Sequence, residues 1–285
     1  MPTRAGGSNT EAGSGYPPPG ALLRKYRLRA KKSWGQNFLW DEEVQDAIAL
    51  LAVERQGERV VELGAGLGHL TARLLARGAK VVAVERDRDM VRVLRGEFGA
   101  AVELLEADAA ELDYRALAGG GRIAVAGNLP YHLTSPILFG LLGAAEHVER
   151  AVVLVQSEVA ERLAAAPGGR SWGLLSVLLQ RRARVSLERR VPRSAFLPEP
   201  RVDSAVVRIG FGRPRAEVLS EDRFRLLVKS GFAQRRKMLA NALEAGRVAP
   251  REALARALES AGIDPRRRGE TLTVEEWAAL ERALG

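Results

Sequence analysis

The chain has 285 residues, of which 46% are hydrophobic, so it is long enough for one sizeable core and a smaller second domain. It contains no Cys and only three His, which excludes disulfides, thiolate nucleophiles and cysteine metal sites and disfavours a metal centre. No run approaches about 18 uncharged apolar residues, so we expect no membrane-spanning segment and a soluble protein.

Basic residues are concentrated towards the two ends of the chain. The formal net charge is +9, and residues 1–40 hold seven Lys or Arg against one Glu, while residues 213–285 hold 15 against 11 acidic residues. Such ends around a nearly neutral middle predict a polyanionic partner, and nucleic acid is the natural candidate. An Arg-rich surface is also typical of thermophilic proteins, so the basic run at residues 24–32 is the stronger argument.

The first segment, residues 1–20, is rich in Gly, Pro and Ser and lacks the apolar or amphipathic pattern of a targeting signal. We therefore expect a disordered tail at residues 1–20 and a cytoplasmic protein. A first helix is expected from Asp41, because an acidic first turn is followed by Val44, Ile48 and Leu51 at helical spacing.

Short apolar runs then alternate with segments of helical length, which is typical of βαβ units and a parallel sheet buried on both faces. A closing hairpin is expected from residues 182–190 and 204–211, and four helices are expected after Pro214. The pattern predicts an α/β fold with a separate, small helical domain. The parallel strands are expected at residues 59–63, 80–84, 102–106, 122–127 and 151–155.

Glycines occupy alternate positions, Gly64, Gly66 and Gly68, where the first strand gives way to a helix. Glycine lets the backbone take a positive φ and come close to a ligand, and the following helix directs its amides towards that ligand. The dinucleotide motif needs its third glycine one position later, so NAD is disfavoured. Glu85 ends the next strand, 21 residues after Gly64, where α/β nucleoside sites hold ribose hydroxyls.

The third and fourth strands also end in polar side chains. Asp108 follows the third strand and suits the amine at the adenine edge of a ligand; a solvated acidic turn is the alternative. Asn128-Leu129-Pro130-Tyr131 follows the fourth strand and joins a planar amide to an aromatic ring, which suits a purine amine, although Asn and Pro are also ordinary turn residues. Ligands bind at the carboxyl ends of parallel strands, so four such ends predict one site. His69 and His132 each adjoin a motif but lie one residue beyond the position that would serve the ligand, so we interpret them as packing or helix-start residues and assign them no chemistry.

These residues, in this order, resemble the ribosomal RNA adenine dimethyltransferase family, of the KsgA type that modifies small-subunit RNA. The resemblance covers most of the chain. Besides the motifs above, it extends to residues 31–39 before the glycine loop, residues 196–204 (FLPEPRVDS) and residues 232–243 (FAQRRKMLANAL).

The resemblance implies a Rossmann-like class I methyltransferase sheet at residues 21–212 and a small all-helical C-terminal domain that binds RNA at residues 213–285. It also implies S-adenosyl-L-methionine as methyl donor, with no metal. The donor site would be lined by Asn37, Leu39, Gly64, Glu85, Asp108 and Asn128. The Asn128 side chain and the Leu129 carbonyl would accept hydrogen bonds from the target amine, Tyr131 would stack on the base, and Phe196 would close its other face.

The implied reaction is dimethylation of N6 on two adjacent adenosines near the 3′ end of 16S rRNA, within the small (30S) ribosomal subunit or its precursor. The chain would act as a monomer, away from membranes, in small-subunit biogenesis. A duplex hides the amine, so the target is expected in a loop, with Arg235, Arg236 and Lys237 as candidate phosphate contacts or simply a solvated helix start. Two alternatives stay open: a 23S rRNA methyltransferase of the large subunit, and a non-catalytic ribosome-assembly factor that binds RNA.

Overall fold

A computed structural model describes residues 15–31 and 34–285. Two sheets contain all the strands of this part of the chain: a seven-stranded sheet and a pair formed by the two shortest strands. The strands are β1 (Phe38–Leu39), β2 (Arg59–Leu63), β3 (Lys80–Glu85), β4 (Glu103–Glu106), β5 (Ile123–Asn128), β6 (Val148–Gln156), β7 (Ala183–Val191), β8 (Phe196–Leu197) and β9 (Ser204–Phe211).

Helices cover both faces of the large sheet and form the C-terminal region. None of those in the described residues is long and apolar enough to cross a membrane. They are α1 (Pro19–Lys25), α2 (Glu42–Ala52), α3 (His69–Ala76), α4 (Arg88–Phe98), α5 (Tyr114–Ala118), α6 (Thr134–Gly143), α7 (Ser157–Leu163), α8 (Leu174–Arg182), α9 (Glu221–Ala233), α10 (Leu239–Ala245), α11 (Arg251–Ser260) and α12 (Val274–Ala283).

The order of the large sheet is β4-β3-β2-β5-β6-β9-β7, with β2 to β6 parallel and β9 antiparallel to both of its neighbours. The α/β prediction is confirmed, and all five parallel strands lie where the apolar runs indicate. The chain leaves β2 towards β3 and β4 on one side, and later returns to β5 and β6 on the other. The strand order therefore reverses between β2 and β5, which opens a crevice at their carboxyl ends.

The expected pairing of the last two long strands is confirmed, because β7 and β9 are antiparallel neighbours. The later strand, β9, lies inside the sheet between β6 and β7, with Arg150 to Gln156 of β6 opposite Gly210 to Ser204. The residues of the two strands explain this order. The strand β9 is mostly apolar and buried, while β7 carries exposed Arg and Glu side chains that suit the edge of a sheet.

The four helices expected after Pro214 are present as α9 to α12. Their apolar core is shared with the preceding part of the chain, because Trp172, Val177 and Leu178 are buried in the same cluster as Phe224 and Trp277. The Trp172 Nε1–H donates to the Leu272 carbonyl at 3.1 Å. The sheet ends near residue 212, but the helices after it share a core with residues before it.

The N-terminal prediction needs a correction. Residues 1–14 lie outside the described residues, but the expected disordered tail also included residues 15–20, and there the chain packs on the protein. The Tyr16 ring stacks on Phe98 with centroids 5.3 Å apart, and α1 begins at Pro19. Tyr16 helps to anchor this segment of Gly and Pro residues, because its ring covers a large apolar area. The helix expected from Asp41 is confirmed, since the Asp41 side chain accepts from the Val44 N–H.

Candidate active site

A cavity of about 260 Å³ lies at the carboxyl ends of β2, β3 and β5, at the point where the strand order reverses. The sequence-derived candidates fall into two groups. Eight of them line this cavity and one, Phe196, does not. The eight are Asn37, Leu39, Gly64, Glu85, Asp108, Asn128, Leu129 and Tyr131.

The glycine loop between β2 and α3 has a backbone conformation that requires glycine. Gly64, Gly66 and Gly68 have φ values of +71°, +56° and +87°. A side chain on Gly66 would begin 3.4 Å from the Phe38 ring, and one on Gly68 would overlap the Phe98 ring at 2.4 Å. The loop backbone is thus exposed to the cavity on one side and closely packed on the other.

Glu85 ends β3 with its carboxylate held by the backbone. Its Oε2 accepts from the Gly66 N–H, and its Oε1 accepts from the Arg86 and Asp87 N–H groups, all at 2.8 Å. Burial raises the pKa of Glu85, and these three hydrogen bonds oppose the increase. The bond to Gly66 joins the acidic strand end to the glycine loop, so the two motifs form one continuous wall of the cavity.

Asp108 is paired with Arg86, a residue to which the sequence analysis assigned no role. Arg86 Nη1 lies 2.7 Å from Asp108 Oδ2, and the Ala110 N–H donates to Oδ1 at 3.0 Å. The Ala110 hydrogen bond and the Arg86 charge hold the pKa of Asp108 below its usual range, so the carboxylate stays ionised. The Arg86 guanidinium also lies 5.0 Å from the centre of the Trp34 ring, and both residues line the cavity.

Asn128 has a defined amide orientation. Its Nδ2 donates to the Asn37 backbone carbonyl at 2.9 Å, which joins the fourth strand end to the segment before β1. In residues 15–31 and 34–285 no group donates to its Oδ1, so the amide oxygen is left as an acceptor. Tyr131 begins the short 3₁₀ turn that follows, and its hydroxyl lies 2.9 Å from Ser204 Oγ at the start of β9. The amide and the ring are each held by one such bond.

Phe196 does not take the position that the resemblance implies. Its side chain is 3% exposed and belongs to the apolar core cluster beneath β1, because β8 pairs with β1 and places Phe196 opposite Leu39. The ring is absent from the cavity wall, so in this conformation it cannot cover a base that lies on Tyr131. The neighbouring Leu197 is 42% exposed instead.

Glu62 is a cavity residue that sequence analysis missed. It lies within β2, is 2% exposed, and accepts a hydrogen bond from Thr71 Oγ1 at 2.6 Å. Burial raises its pKa to about 8, helped by the nearby negative charge of Glu85. The available signal was a single acidic residue inside an otherwise apolar strand, since an ionisable group is rarely buried without a reason.

The basic triplet of the helical region divides into two roles. Arg235 is engaged within the protein, because its guanidinium donates to Glu270 and to the backbone carbonyls of Arg170 and Trp172. Arg236 and Lys237 are exposed and line an open depression beside α10. Arg235 is also partly exposed, but within the described residues only Arg236 and Lys237 of this triplet have side chains without an internal partner.

Glu62 predicts a pH-dependent stability. A carboxyl whose pKa is raised in the folded state binds its proton more tightly there than in the unfolded chain. Protonation of Glu62 therefore stabilises the fold fully below about pH 4.5, and this stabilisation is lost as the pH rises to about 8. Glu62→Gln should remove this loss, on the order of 2 to 4 kcal/mol between pH 5 and 8. Urea unfolding at several pH values measures it, with exposed Glu111→Gln as the control; parallel profiles for wild type and Glu62→Gln would contradict the assignment.

The chain was compared with known proteins. The family model described as ribosomal RNA adenine dimethylase matches residues 27–284. Proteins named ribosomal RNA small subunit methyltransferase A are 64% identical in Anaeromyxobacter sp. strain K, over 95% of this chain and 99% of that protein, and 52% identical in Myxococcus xanthus, over 94% and 95%. Among solved structures, the 23S rRNA methyltransferase ErmE has a TM-score of 0.69 and 27% identity over 87% of this chain and 99% of its own. A dimethyladenosine transferase from Plasmodium falciparum shares the fold, with a TM-score of 0.70 and 24% identity over 84% and 94% of the two chains. The fold is thus that of the class I methyltransferases, and the chain belongs to the ribosomal RNA adenine dimethylase family.

Proposed function

We propose that the chain transfers methyl groups from S-adenosyl-L-methionine to the N6 amine of two adjacent adenosines in a loop near the 3′ end of 16S rRNA, giving N6,N6-dimethyladenosine. The observation that carries the proposal is the Asn128 amide, whose nitrogen is occupied by Asn37 and whose oxygen is available at the cavity. Relatives named for small-subunit methylation at up to 64% identity support the choice of RNA.

The donor site is proposed at the wall formed by Asn37, Leu39, the glycine loop, Glu85 and Asp108. The fixed Glu85 carboxylate would accept from ribose hydroxyls, and Asp108 would accept from the adenine amine. The residues present fit such a group, because the carboxylates of Glu85 and Asp108 line the same cavity as the backbone of the glycine loop. When bound, the donor supplies an activated methyl group on its sulfonium. Arg86 must share Asp108 or leave it when the donor binds, since the two now form an ion pair.

The acceptor chemistry follows from the amine itself. The lone pair of an adenine amine is delocalised into the ring, so attack requires a pyramidal nitrogen. Asn128 Oδ1 and the Leu129 carbonyl would accept its hydrogens and stabilise charge that appears only in the transition state. Tyr131 would stack on the base, which contributes about 1 to 3 kcal/mol. The methylated nitrogen is acidic enough to lose its proton to water, so most of the rate comes from positioning.

The target adenosine must be unpaired or extruded, because a duplex hides its amine. We place RNA phosphates on the helical region, residues 213–285, with Arg236 and Lys237 as contacts, and the chemistry in residues 21–212. The partner is the small subunit or its precursor, the chain acts as a monomer in the cytoplasm, and no metal takes part. Phe196 would need to move out of the core to reach the base, so we propose Tyr131 as the stacking residue.

The two alternatives make different predictions. ErmE, named as a 23S rRNA methyltransferase, has a similar fold but lower identity than the small-subunit relatives. Methylation of purified 30S and 50S subunits in parallel distinguishes the two substrates. A non-catalytic assembly factor would bind RNA without binding S-adenosyl-L-methionine, and failure to bind the donor at millimolar concentration would favour it.

The acceptor role of Asn128 is tested by Asn128→Ala. We expect methyl transfer to fall by about 10²- to 10³-fold, as for loss of other transition-state hydrogen bonds, while affinity for the small subunit stays near that of wild type. Single-turnover methylation and a subunit-binding assay measure the two quantities separately. Equal losses in both would count against the assigned role.

The donor role of Glu85 is tested by Glu85→Ala, with Glu106→Ala as the matched control. Glu106 lies opposite Glu85 in the register of β3 and β4 but is half exposed and outside the cavity. Charged hydrogen bonds are worth about 1.5 to 3 kcal/mol, so we expect Glu85→Ala to weaken donor binding by about 10- to 100-fold. Calorimetry with S-adenosylhomocysteine measures this, and an unchanged dissociation constant would remove Glu85 from the donor site.

The RNA contact is tested by replacing Arg236 and Lys237 with Ala together. We expect weaker subunit binding, a salt dependence shallower by about two counterions, and unchanged donor affinity. Arg256→Ala controls for loss of an exposed charge elsewhere in the helical region. Arg235→Ala should instead lower the thermal midpoint, because it breaks internal hydrogen bonds. An unaltered salt slope in the double variant would place the RNA elsewhere.

A further inference from the structure

We infer that residues 16–31, here called the N-terminal brace, hold the glycine loop in its donor-binding shape, and that Tyr16 is the positioning residue through which they act. The inference rests on the proposed donor site and concerns a segment outside the motifs that define it.

The brace contacts three consecutive residues at the end of the glycine loop. The Tyr16 hydroxyl donates to the Leu67 carbonyl at 2.6 Å, and the Pro17 carbonyl lies 3.1 Å from His69 Nε2. Between them, Gly68 packs so closely that a side chain there would begin 2.8 Å from the Tyr16 hydroxyl. Leu67 and His69 also line the cavity, so the brace grips the loop from behind while the cavity lies on its other side.

The Tyr16 ring has little freedom. It stacks on Phe98 at an interplanar angle of 17° and meets the His69 ring edge-on, with centroids 5.2 Å apart. Burial raises the pKa of Tyr16, so its hydroxyl stays protonated and remains a hydrogen-bond donor. Burial also lowers the pKa of His69 to about 4, so this first residue of α3 is neutral and serves packing, as the sequence indicates.

The rest of the brace is fixed to α4, the helix that follows Glu85 in the chain. Lys25 and Tyr26 both bond to Glu97 at 2.7 Å, and Lys31 lies 2.7 Å from Asp87 and from Asp89 at the start of α4. Leu22 is fully buried in one cluster with Leu67, Phe38, Met90 and Val93. The brace therefore joins the glycine loop to α4, the helix that follows the proposed ribose-binding residue Glu85.

This arrangement bears on donor affinity because the loop is rich in glycine. Three of its residues at positive φ would sample many conformations if nothing held them, and a ligand would lose affinity to the cost of ordering them. The Tyr16 hydrogen bond to Leu67 orders the loop before the donor binds, so the donor does not lose affinity in ordering it. The brace does not touch Asn128 or Tyr131 in any described contact, so we expect no effect on the methyl-transfer step itself.

Tyr16→Phe tests the inference, with Tyr26→Phe as the matched control. Each change removes one hydroxyl that donates a short hydrogen bond and leaves the ring, but only Tyr16 bonds to the loop. We expect Tyr16→Phe to raise the dissociation constant and the KM for S-adenosyl-L-methionine about three- to tenfold, with kcat and the KM for RNA unchanged. Tyr26→Phe should stay within twofold of wild type. Tyr16→Ala, which also loses the stacking on Phe98, should weaken donor binding further.

Three results would overturn the inference: donor affinity of Tyr16→Phe within twofold of wild type, an equal loss in Tyr26→Phe, or a loss of kcat at saturating donor. Thermal midpoints of both variants show whether either has merely lost stability. Wild-type protein is measured first. If it does not bind the donor, the proposed function fails; if it binds and Tyr16→Phe binds equally well, only the role of the brace is lost.

Discussion

The hydrogen bond from Asn128 Nδ2 to the Asn37 carbonyl determines what the cavity can recognise. An amide carries a donor and an acceptor on the same carbon, and either could face a ligand. Because the nitrogen is bound to the segment before β1, the oxygen is the end that remains available. A site that offers an acceptor selects a partner with N–H groups, which is why an exocyclic amine suits it and a carbonyl does not.

The reversal of strand order brings the other groups to that amide. Glu85, the glycine loop and Asn128 come from neighbouring strands, and Gly127 lets β2 and β5 approach closely, since a side chain there would begin 2.5 Å from the Leu63 carbonyl. Direct links then join the elements: Gly66 to Glu85, Arg86 to Asp108, and Tyr131 to Ser204 of β9. These bonds fix several of the side chains and the loop that line the cavity relative to one another.

The strands, the glycine loop and the three polar strand ends, Glu85, Asp108 and Asn128, could be predicted from sequence because each depends on local pattern. The apolar period, the glycine spacing and the position of an acidic residue after a strand are all readable without a fold. The features that were missed depend on which distant residues meet. Tyr16 lies in a Gly- and Pro-rich tail, and only the fold shows that Phe98 offers it a surface. The pairing of Arg86 with Asp108 could not be predicted, because the two residues are 22 positions apart in the chain. Phe196 was expected in the site from its motif, but the pairing of β8 with β1 turns it into the core.

The shared core of the helical region fixes where Arg236 and Lys237 lie relative to the cavity. Trp172 and its neighbours belong to the chain of the sheet domain yet are buried among α9 to α12, with the Gly168 N–H donating to the Glu270 carbonyl and Arg235 reaching back to Arg170. The exposed Arg236 and Lys237 therefore lie in a helical region that packs directly on the chain of the sheet domain. Under the proposed function, an RNA must reach Arg236 and Lys237 with its phosphates and the cavity with its adenosine at the same time. The folded shape of the ribosomal particle would then select the adenosine, where the sequence around it alone would not.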